Sequence, residues 1–284
     1  MTANLTWELL EVGKTRRDAG ALFGETPRVI WQEHYIPPVK DASPNSENFA
    51  LTRSNRIAIA TNVTLIIAED EIILIDAGTP VLQTIGESDE WSGSTLRKML
   101  SERKILPRDI TKIILTSPDI DHAGGLAHHD RSGNLVPAFP NAKVYYHKTS
   151  NIRCRPHTID QADLAFQQIK QCNLEPSASS TEVAPGIFMH PINGPSNSGS
   201  VAEIRRGADR VLFLGDLCPT ILHLNQDIIP SFDDTPDDTF TERQQWLMKA
   251  KNEGHMVVFG HGVKAKAGWV EERRDGILFK AIEK

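Results

Sequence analysis

The stretch from Ile113 to Gly125 constrains the fold of this 284-residue chain more than any other. Its first four residues, Ile113 to Thr116, are apolar or β-branched and predict a short buried strand that ends before Pro118. Two carboxylates and a histidine follow, at Asp119, Asp121 and His122. Such groups at the end of a strand suit a metal site. A solvent-exposed acidic loop is the alternative, because Asp and Gly are common loop residues.

This stretch resembles the metal-binding signature T-H-x-H-x-D-H-x-G-G of the metallo-β-lactamase superfamily. Ser117 and Asp119 stand where the signature has its first two histidines. The positions that fit the signature are Thr116, Asp121, His122, Gly124 and Gly125. Four further matches follow in the family's order: Leu74 to Gly78, Gly194 to Ser200, Phe213 to Asp216 and Phe259 to Gly262. Five motifs in sequence are far more specific than one.

The resemblance implies an α/β fold, the αββα sandwich, in which two sheets pack face to face and helices cover their outer faces. The chain is long enough for one sizeable core, and we expect a single domain over residues 1–284. Residues 1–50 are poorly periodic. By analogy with the family, we expect this N-terminal extension to cover the active-site mouth or to form a homodimer contact.

Apolar patterning predicts most of the regular elements. Strands are expected at 57–60, 63–68, 71–75, 142–147, 187–192, 200–205, 210–214, 256–259 and 277–279, with a further short strand at 29–31. Short polar gaps at 61–62 and 69–70 suggest hairpins. Helices are expected at 94–104, 160–172 and 239–253, and residues 173–182 are interpreted as a connection.

Composition excludes several classes of partner. The net charge of -6 argues against nucleic acid or an anionic membrane surface as the main partner. The sequence has no signal-peptide pattern near residue 1 and no run of about 18 apolar residues that would cross a bilayer. Its cysteines, Cys154, Cys172 and Cys218, are few and odd in number, which predicts reduced thiols and a cytoplasmic location.

The superfamily commonly holds two metal ions, and the resemblance implies that the first site is lost here. That site needs three histidines, whereas this chain has Ser117, Asp119 and, in the loop 194–200, Pro195. His190 and Asn197 are weaker candidates for the missing ligand. The second site is implied to survive, with the ligands Asp121, His122, Asp216 and His261. The resemblance implies that Asp76 lies beneath the metal site and orients these ligands. The alternative is that Asp76 caps the loop that follows it.

Two carboxylates neutralise a dication, so a water bound there is less acidified than in a three-histidine site and needs a base. We expect Asp119 to be that general base, or to hold the water by a hydrogen bond, and Ser117 to orient the water. A weak, oxygen-rich first site through Asp119, for instance for manganese, is the competing interpretation. His147 is a further candidate at the same mouth, although a lone histidine is more often structural.

Zinc is the default ion for hydrolysis, with one ion per chain, and Fe²⁺ or Mn²⁺ also suits this ligand set. The region 215–243 resembles the branch of quorum-signal lactonases and methyl parathion hydrolase. The serine that replaces the first histidine, and the spacing of His147, are similar to chlorothalonil hydrolytic dehalogenase. We therefore predict a hydrolase of a small apolar lactone, ester or activated aryl halide. The alternative is a retired enzyme that binds a metal or a ligand without turnover.

Overall fold

The computed structural model describes residues 5–35, 55–80, 96–148, 165, 167–225, 227–273 and 276–281. Its strands are β1 Leu5–Asp18, β2 Arg56–Ala68, β3 Glu71–Ile75, β4 Lys112–Ile114, β5 Ala127–His129, β6 Leu135–Pro137, β7 Lys143–His147, β8 Asn173–Ser177, β9 Thr181–Ala184, β10 Ile187–Ile192, β11 Gly199–Arg206, β12 Asp209–Phe213, β13 Met256–Val258, β14 Ala267–Arg273 and β15 Gly276–Ala281. Its helices are α1 Ala19–Phe23, α2 Arg28–Tyr35, α3 Leu96–Glu102, α4 Ile120–Ala123 and α5 Pro236–Glu253. No helix of the described residues is long and apolar enough to cross a membrane.

Two mixed sheets form the centre of the fold. The first has the strand order β1-β2-β3-β4-β7-β8, the second has the order β15-β14-β13-β12-β11-β10-β9, and β5 and β6 form a separate hairpin. Within the first sheet, β3, β4, β7 and β8 run parallel, whereas β1, β2 and β3 are antiparallel. The parallel strands β3 and β4 therefore end at the same edge, where Asp76 and the 116–122 loop follow.

The core has the layers of an αββα sandwich. Between the sheets, apolar side chains of the first sheet, such as Ile73 and Ile114, pack against those of the second, such as Ile204 and Phe213. The outer face of the first sheet buries Leu100 of α3, and the outer face of the second buries residues of α5. The predicted fold is confirmed.

Most predicted strands and the helix ending at Glu253 are confirmed. The helix begins at Pro236, a good first helical position because its missing N–H would have no partner there. Among the described residues, the helix predicted at 94–104 corresponds to α3. For the helix predicted at 160–172, residues 165 and 167–169 are helical. Residues 81–95, 149–164 and 166 lie outside the described residues. The sequence patterns missed β14 entirely.

The predicted strand at 29–31 is wrong, because these residues belong to α2. Trp31 is buried and its ring centroid lies 5.8 Å from that of Phe23, whereas Val29 and Ile30 are exposed. The helix thus buries one of the three side chains against α1, and this tertiary contact overrides the β-propensity of the run. The connection predicted at 173–182 is also wrong, since it contains β8 and the start of β9.

The hairpin predicted at residues 61–62 is wrong as well. Strand β2 continues from Arg56 to Ala68 and pairs along its length with β1. Thr61 and Asn62 are polar but buried. Asn62 Nδ2 donates to the carbonyl oxygens of Phe259 (3.1 Å) and Gly262 (2.9 Å), so the polar pair connects the two sheets beside His261.

Residues 5–23 of the N-terminal extension are part of the fold. Strand β1 is the edge strand of the first sheet, and α1 follows it directly. The end of β1 and residues of α1 line one cleft of the described residues, which we call the main cleft. Residues 36–50 of the extension lie outside the described residues. The dimer contact stays a prediction.

Candidate metal centre

Asp76 forms the base of the site. It follows β3 with φ = 64°, a left-handed conformation that Asp tolerates better than most residues. Its carboxylate accepts hydrogen bonds from Thr116 N (2.8 Å) and Thr116 Oγ1 (2.7 Å), and its Oδ2 lies 2.8 Å from His122 Nδ1. Because a carboxylate only accepts, His122 Nδ1 carries the proton. The lone pair of neutral His122 is then on Nε2, which points away from Asp76.

The short helix α4 carries Asp121 and His122. Asp119 is its N-cap residue, and the Asp119 carbonyl accepts from His122 N (3.0 Å). After the helix, Gly125 packs so closely on the Asp76–Ala77 turn that a Cβ atom would lie 2.1 Å from Ala77 O. The glycine therefore allows the loop to fold back under the site.

Asp216 is presented by a tight turn after β12. Gly215 has φ = 51°, and a Cβ atom there would lie 2.8 Å from Thr116 Cβ. On the other side of the turn, the buried Arg243 of α5 donates to Leu217 O (2.6 Å) and to Ile228 O (2.8 Å). These contacts fix the backbone on both sides of Asp216.

His261 follows β13 and is held by the first sheet. Its Nδ1 lies 2.9 Å from Ala60 O, a carbonyl that only accepts, so this nitrogen carries the proton. Its backbone N–H donates to Pro219 O (3.0 Å), and its carbonyl accepts from Ala60 N (3.2 Å). The lone pair of His261 Nε2 consequently faces Asp216 Oδ1 at 3.1 Å.

These side chains converge on one point. His122 Nε2 and His261 Nε2 lie 3.3 and 3.1 Å from Asp216 Oδ1 and 4.0 Å from the nearest carboxylate oxygen of Asp121. One ligand atom from each of Asp121, His122 and His261 lies within 4.8 Å of the others. His122 Nε2 is buried and has no hydrogen-bond partner among the described residues. Two imidazole lone pairs and two carboxylates that face each other fit a divalent cation.

The electrostatics of the cluster also favour a bound cation. Burial alone would raise the pKa of Asp216, but His122 and His261 hold it well below its usual range. Burial opposes the charged form of His122, yet Asp216 and Asp76 raise its pKa well above the ordinary value. The carboxylates thus stabilise positive charge on this cluster, whether it is a proton on an imidazole or a bound metal ion.

Comparison with known protein families identifies the family of this chain. The model of the metallo-beta-lactamase superfamily matches residues 56–261, more than half of the chain. The chain belongs to the metallo-β-lactamase superfamily. No curated protein matches it.

Solved structures share the fold of this superfamily member over nearly its whole length. A probable metal-dependent hydrolase from Staphylococcus aureus is 23% identical with a TM-score of 0.77, covering 100% of this chain and 99% of that one. AidC, a dizinc quorum-quenching lactonase in complex with the product N-hexanoyl-L-homoserine, is 18% identical with a TM-score of 0.75, covering 100% and 96%. The hydrolase AbOPH is 16% identical with a TM-score of 0.74, covering 99% and 95%. This chain therefore shares its fold with these three structures.

The three catalytic candidates lie in two places. Asp119 lines the main cleft together with Asp121, Asp216 and His261. Ser117 and His147 line a separate cavity of about 10 Å³ instead. There Ser117 Oγ accepts from Asp119 N (3.2 Å), and His147 Nδ1 lies 3.1 Å from Gly199 O. The structure brings Asp119, but not Ser117 or His147, into the cleft with the candidate ligands.

The loop 194–200, in which Pro195 is predicted to stand at the family's third histidine position, contains three serines. Ser196 Oγ and Ser198 Oγ are buried and lie 2.9 Å apart. His190 lies elsewhere, with its Nε2 2.9 Å from Glu203. Cys218, two residues after Asp216, is fully buried, and burial raises the pKa of its thiol to about 12, as expected of a packing residue.

The main cleft has a volume of about 360 Å³. Its lining includes residues that sequence reasoning missed: Arg16 and Arg17 at the end of β1, and Arg56 at the start of β2. Phe232 also lines it. The sequence signal that could have indicated these arginines is the Arg16–Arg17 pair at the polar end of an amphipathic run. Its position near the metal site depends on strand pairing that no local pattern reveals.

Asp76→Asn should weaken zinc binding about 10- to 100-fold, the usual effect of removing a carboxylate that orients a metal-bound histidine. Asn tolerates the left-handed backbone, so the change isolates the hydrogen bonds to Thr116 and His122. Zinc affinity is measured by competition with a chromophoric chelator. Asp70→Asn, in the exposed turn before β3, is the matched control and should bind zinc like the parent. Parental affinity in Asp76→Asn would contradict this role for Asp76.

Proposed function

We propose that this protein is a hydrolase that uses one divalent metal ion to hydrolyse a lactone or ester bond of a small molecule. Asp121, His122, Asp216 and His261 are the proposed ligands. The observation that carries the proposal is the convergence of the lone pairs of His122 Nε2 and His261 Nε2 on Asp216 Oδ1. Two imidazole nitrogens this close to a carboxylate oxygen need positive charge among them, and a divalent cation held by both imidazoles and by the carboxylates of Asp121 and Asp216 would provide it.

A bound divalent ion supplies Lewis-acid activation of a water molecule and of a carbonyl oxygen. The protein's own residues do the rest. Asp76 fixes the His122 ring with Nε2 toward the site, and the carbonyl of Ala60 does the same for His261. Asp119, in the same cleft, is the proposed general base that accepts a proton from the attacking water.

A single ion is favoured by the residues at the family's first metal site. Ser117 faces a different cavity from the candidate ligands, and the loop after Pro195 offers the hydroxyls of Ser196 and Ser198 in place of an imidazole. Hydroxyls are poor zinc ligands. Zinc is the proposed ion because it is a Lewis acid without redox chemistry. Fe²⁺ and Mn²⁺ are the alternatives for a ligand set with two carboxylates.

The bond class draws support from the neighbouring structures. One of them is a lactonase with its hydrolysed product bound, and another holds N-hexanoyl-L-homoserine at its catalytic metal centre. Lactones and esters are therefore proposed ahead of aryl halides. The second candidate is a retired enzyme, that is, a catalytically inactive protein of this fold that binds a metal or a ligand without turnover. It is favoured by Ser117 and Asp119, which stand where the signature has two first-site histidines. A small-molecule substrate, a cytoplasmic location and a homodimer are retained as proposals.

Asp119→Ala should lower ester hydrolysis by about 100-fold or more, the typical contribution of a general base. Its zinc content, measured by inductively coupled plasma mass spectrometry, should stay at one ion per chain. The side chain makes no capping hydrogen bond to α4, so its removal leaves the helix intact. Asp227→Ala, which removes an exposed carboxylate outside the cleft, should keep both zinc and activity.

Three other outcomes would each contradict a different part of the proposal. If Asp119→Ala hydrolyses as fast as the parent, Asp119 is not the base. If the parent holds two ions and Asp119→Ala holds one, Asp119 is a ligand of a first site. If the zinc-loaded parent hydrolyses neither phenyl hexanoate nor N-hexanoyl homoserine lactone, the retired-enzyme alternative replaces the hydrolase.

A further inference from the structure

Three arginines line the main cleft beside the candidate metal ligands. Arg16 and Arg17 end β1, and Arg56 begins β2. The antiparallel register pairs Arg17 with Ile57 and Arg16 with Ala58, which places all three at one end of the two strands. This group, which we call the arginine wall, lies on the edge of the first sheet and shares the cleft with Asp119, Asp121 and His261.

The arginine wall is in contact with the metal group. Arg17 Nη2 lies 3.9 Å from Asp121 Oδ2, and the Arg17 side chain is only 14% exposed. Arg56 Nη2 donates a hydrogen bond to Arg16 O (2.8 Å), which holds the Arg56 guanidinium against the backbone of β1. Guanidinium groups in a partly closed cleft need negative charge nearby, and in the absence of a ligand the aspartates that line the same cleft supply it.

The charges of the lining residues indicate the net charge that a complementary ligand would carry. Its lining has three arginines and four aspartates, namely Asp18, Asp119, Asp121 and Asp216. A divalent cation at the candidate metal centre changes the lining from one net negative charge to one net positive charge. The loaded cleft is therefore complementary to a monoanion, and the charge left over lies on the arginine side, because the cation neutralises Asp121 and Asp216.

We propose that the substrate carries a carboxylate that binds to the arginine wall while its ester or lactone carbonyl lies at the metal centre. A guanidinium binds a carboxylate through two parallel N–H···O bonds, so the wall would orient the substrate as well as attract it. The proposal rests on the proposed function and narrows it. The substrate is an organic acid with a hydrolysable bond, not a wholly apolar molecule.

The test compares two esters of equal chain length, phenyl hexanoate and phenyl hydrogen adipate, which differ by one terminal carboxylate. For the zinc-loaded parent, kcat/KM should be at least about tenfold higher for the adipate ester, as a charge-assisted hydrogen bond predicts. This ratio should fall about tenfold in Arg16→Gln and in Arg56→Gln and should decline with added salt. Arg131→Gln, an exposed position in the β5–β6 turn, should keep the parental ratio.

Binding provides a readout independent of turnover. Isothermal titration of the zinc-loaded protein should give tighter binding of adipate than of hexanoate, and Arg16→Gln should abolish the difference. If neither ester is hydrolysed but this difference is present, the proposed hydrolysis fails while the anion site stands. A parental ratio near one, or an unchanged ratio in both arginine variants, would overturn the arginine wall as a substrate site. Because both measurements are ratios, a general loss of folded protein cannot imitate the expected result.

Discussion

His261→Ala should lose the metal ion and lower ester hydrolysis by about 1,000-fold or more, because Lewis-acid activation contributes several kcal/mol to the barrier. The imidazole is one of two neutral donors of the site, and its Nε2 lies 3.1 Å from Asp216 Oδ1. Truncation leaves His122 and two carboxylates, so the site loses one of the two neutral nitrogen donors that suit zinc. Zinc content and kcat/KM on phenyl hexanoate are measured on the same preparation.

Thermal unfolding separates loss of the ion from loss of the fold. A ligand that binds only the native state raises its stability, so zinc should raise the Tm of the parent and leave that of His261→Ala unchanged. His129→Ala, at the exposed end of β5, controls for histidine removal and should respond to zinc like the parent. If His261→Ala binds one zinc per chain and keeps its activity, the ion is held elsewhere and the proposed ligand set is wrong.

The fold was predictable because five motifs resemble those of the family in the same order, and several of them follow short apolar runs. Strands such as β3 and β4 are short apolar runs, and each ends in a polar residue that the structure places at the same sheet edge, Asp76 after β3 and the 116–122 loop after β4. Parallel neighbours end together, so the sequence order of strand and polar loop already indicates one site. The four candidate ligands follow three strands, with Asp121 and His122 after β4, Asp216 after β12 and His261 after β13.

The missed features depend on long-range pairing. Asn62 was interpreted as a turn residue because it is polar, yet its amide binds two carbonyls about 200 positions away in sequence. Arg16 and Arg56 are brought together by the β1–β2 register, which a sequence pattern does not contain. Likewise, Ser117 was expected to face the cleft with Asp119, as residues two apart in a strand would, but the strand ends at Ile114 and the backbone bends at Pro118 and Asp119, so the two side chains lie in different cavities.

The two parts of the main cleft are lined by different kinds of charged side chain. At one end, buried carboxylates and imidazoles provide a site for a cation; at the other, β1 and β2 provide guanidinium groups. The edge strand β1 is essential to this arrangement, because it carries Arg16 and Arg17 into the cleft. The N-terminal segment, the least periodic part of the sequence, thus determines which substrates the proposed hydrolase would accept.

Glu203→Gln should destabilise the fold by about 3–5 kcal/mol, the usual cost of removing one partner from a buried ion cluster. Glu203 lies on β11 and is 1% exposed. Its carboxylate is 2.9 Å from His190 Nε2, 2.9 Å from His255 Nε2 and 3.0 Å from Lys249 Nζ. The ammonium of Lys249 already provides the cation of this cluster, which is therefore structural, although Glu203, Glu253 and His255 resemble a metal-ligand group. Urea denaturation measures the free energy of unfolding.

The pH dependence identifies Glu203 as the source of this stability. Burial alone would raise the pKa of Glu203, but His190, His255 and Lys249 hold it well below the ordinary value of 4.5. A depressed pKa stabilises the fold above the unfolded-state value, and this contribution is lost as the pH falls below it. The difference between parent and Glu203→Gln should thus be full near pH ~7 and smaller near pH ~3.5. Glu253→Gln removes a half-exposed partner of Lys249 and should cost less than about 1 kcal/mol, so equal effects of the two variants would contradict a buried cluster centred on Glu203.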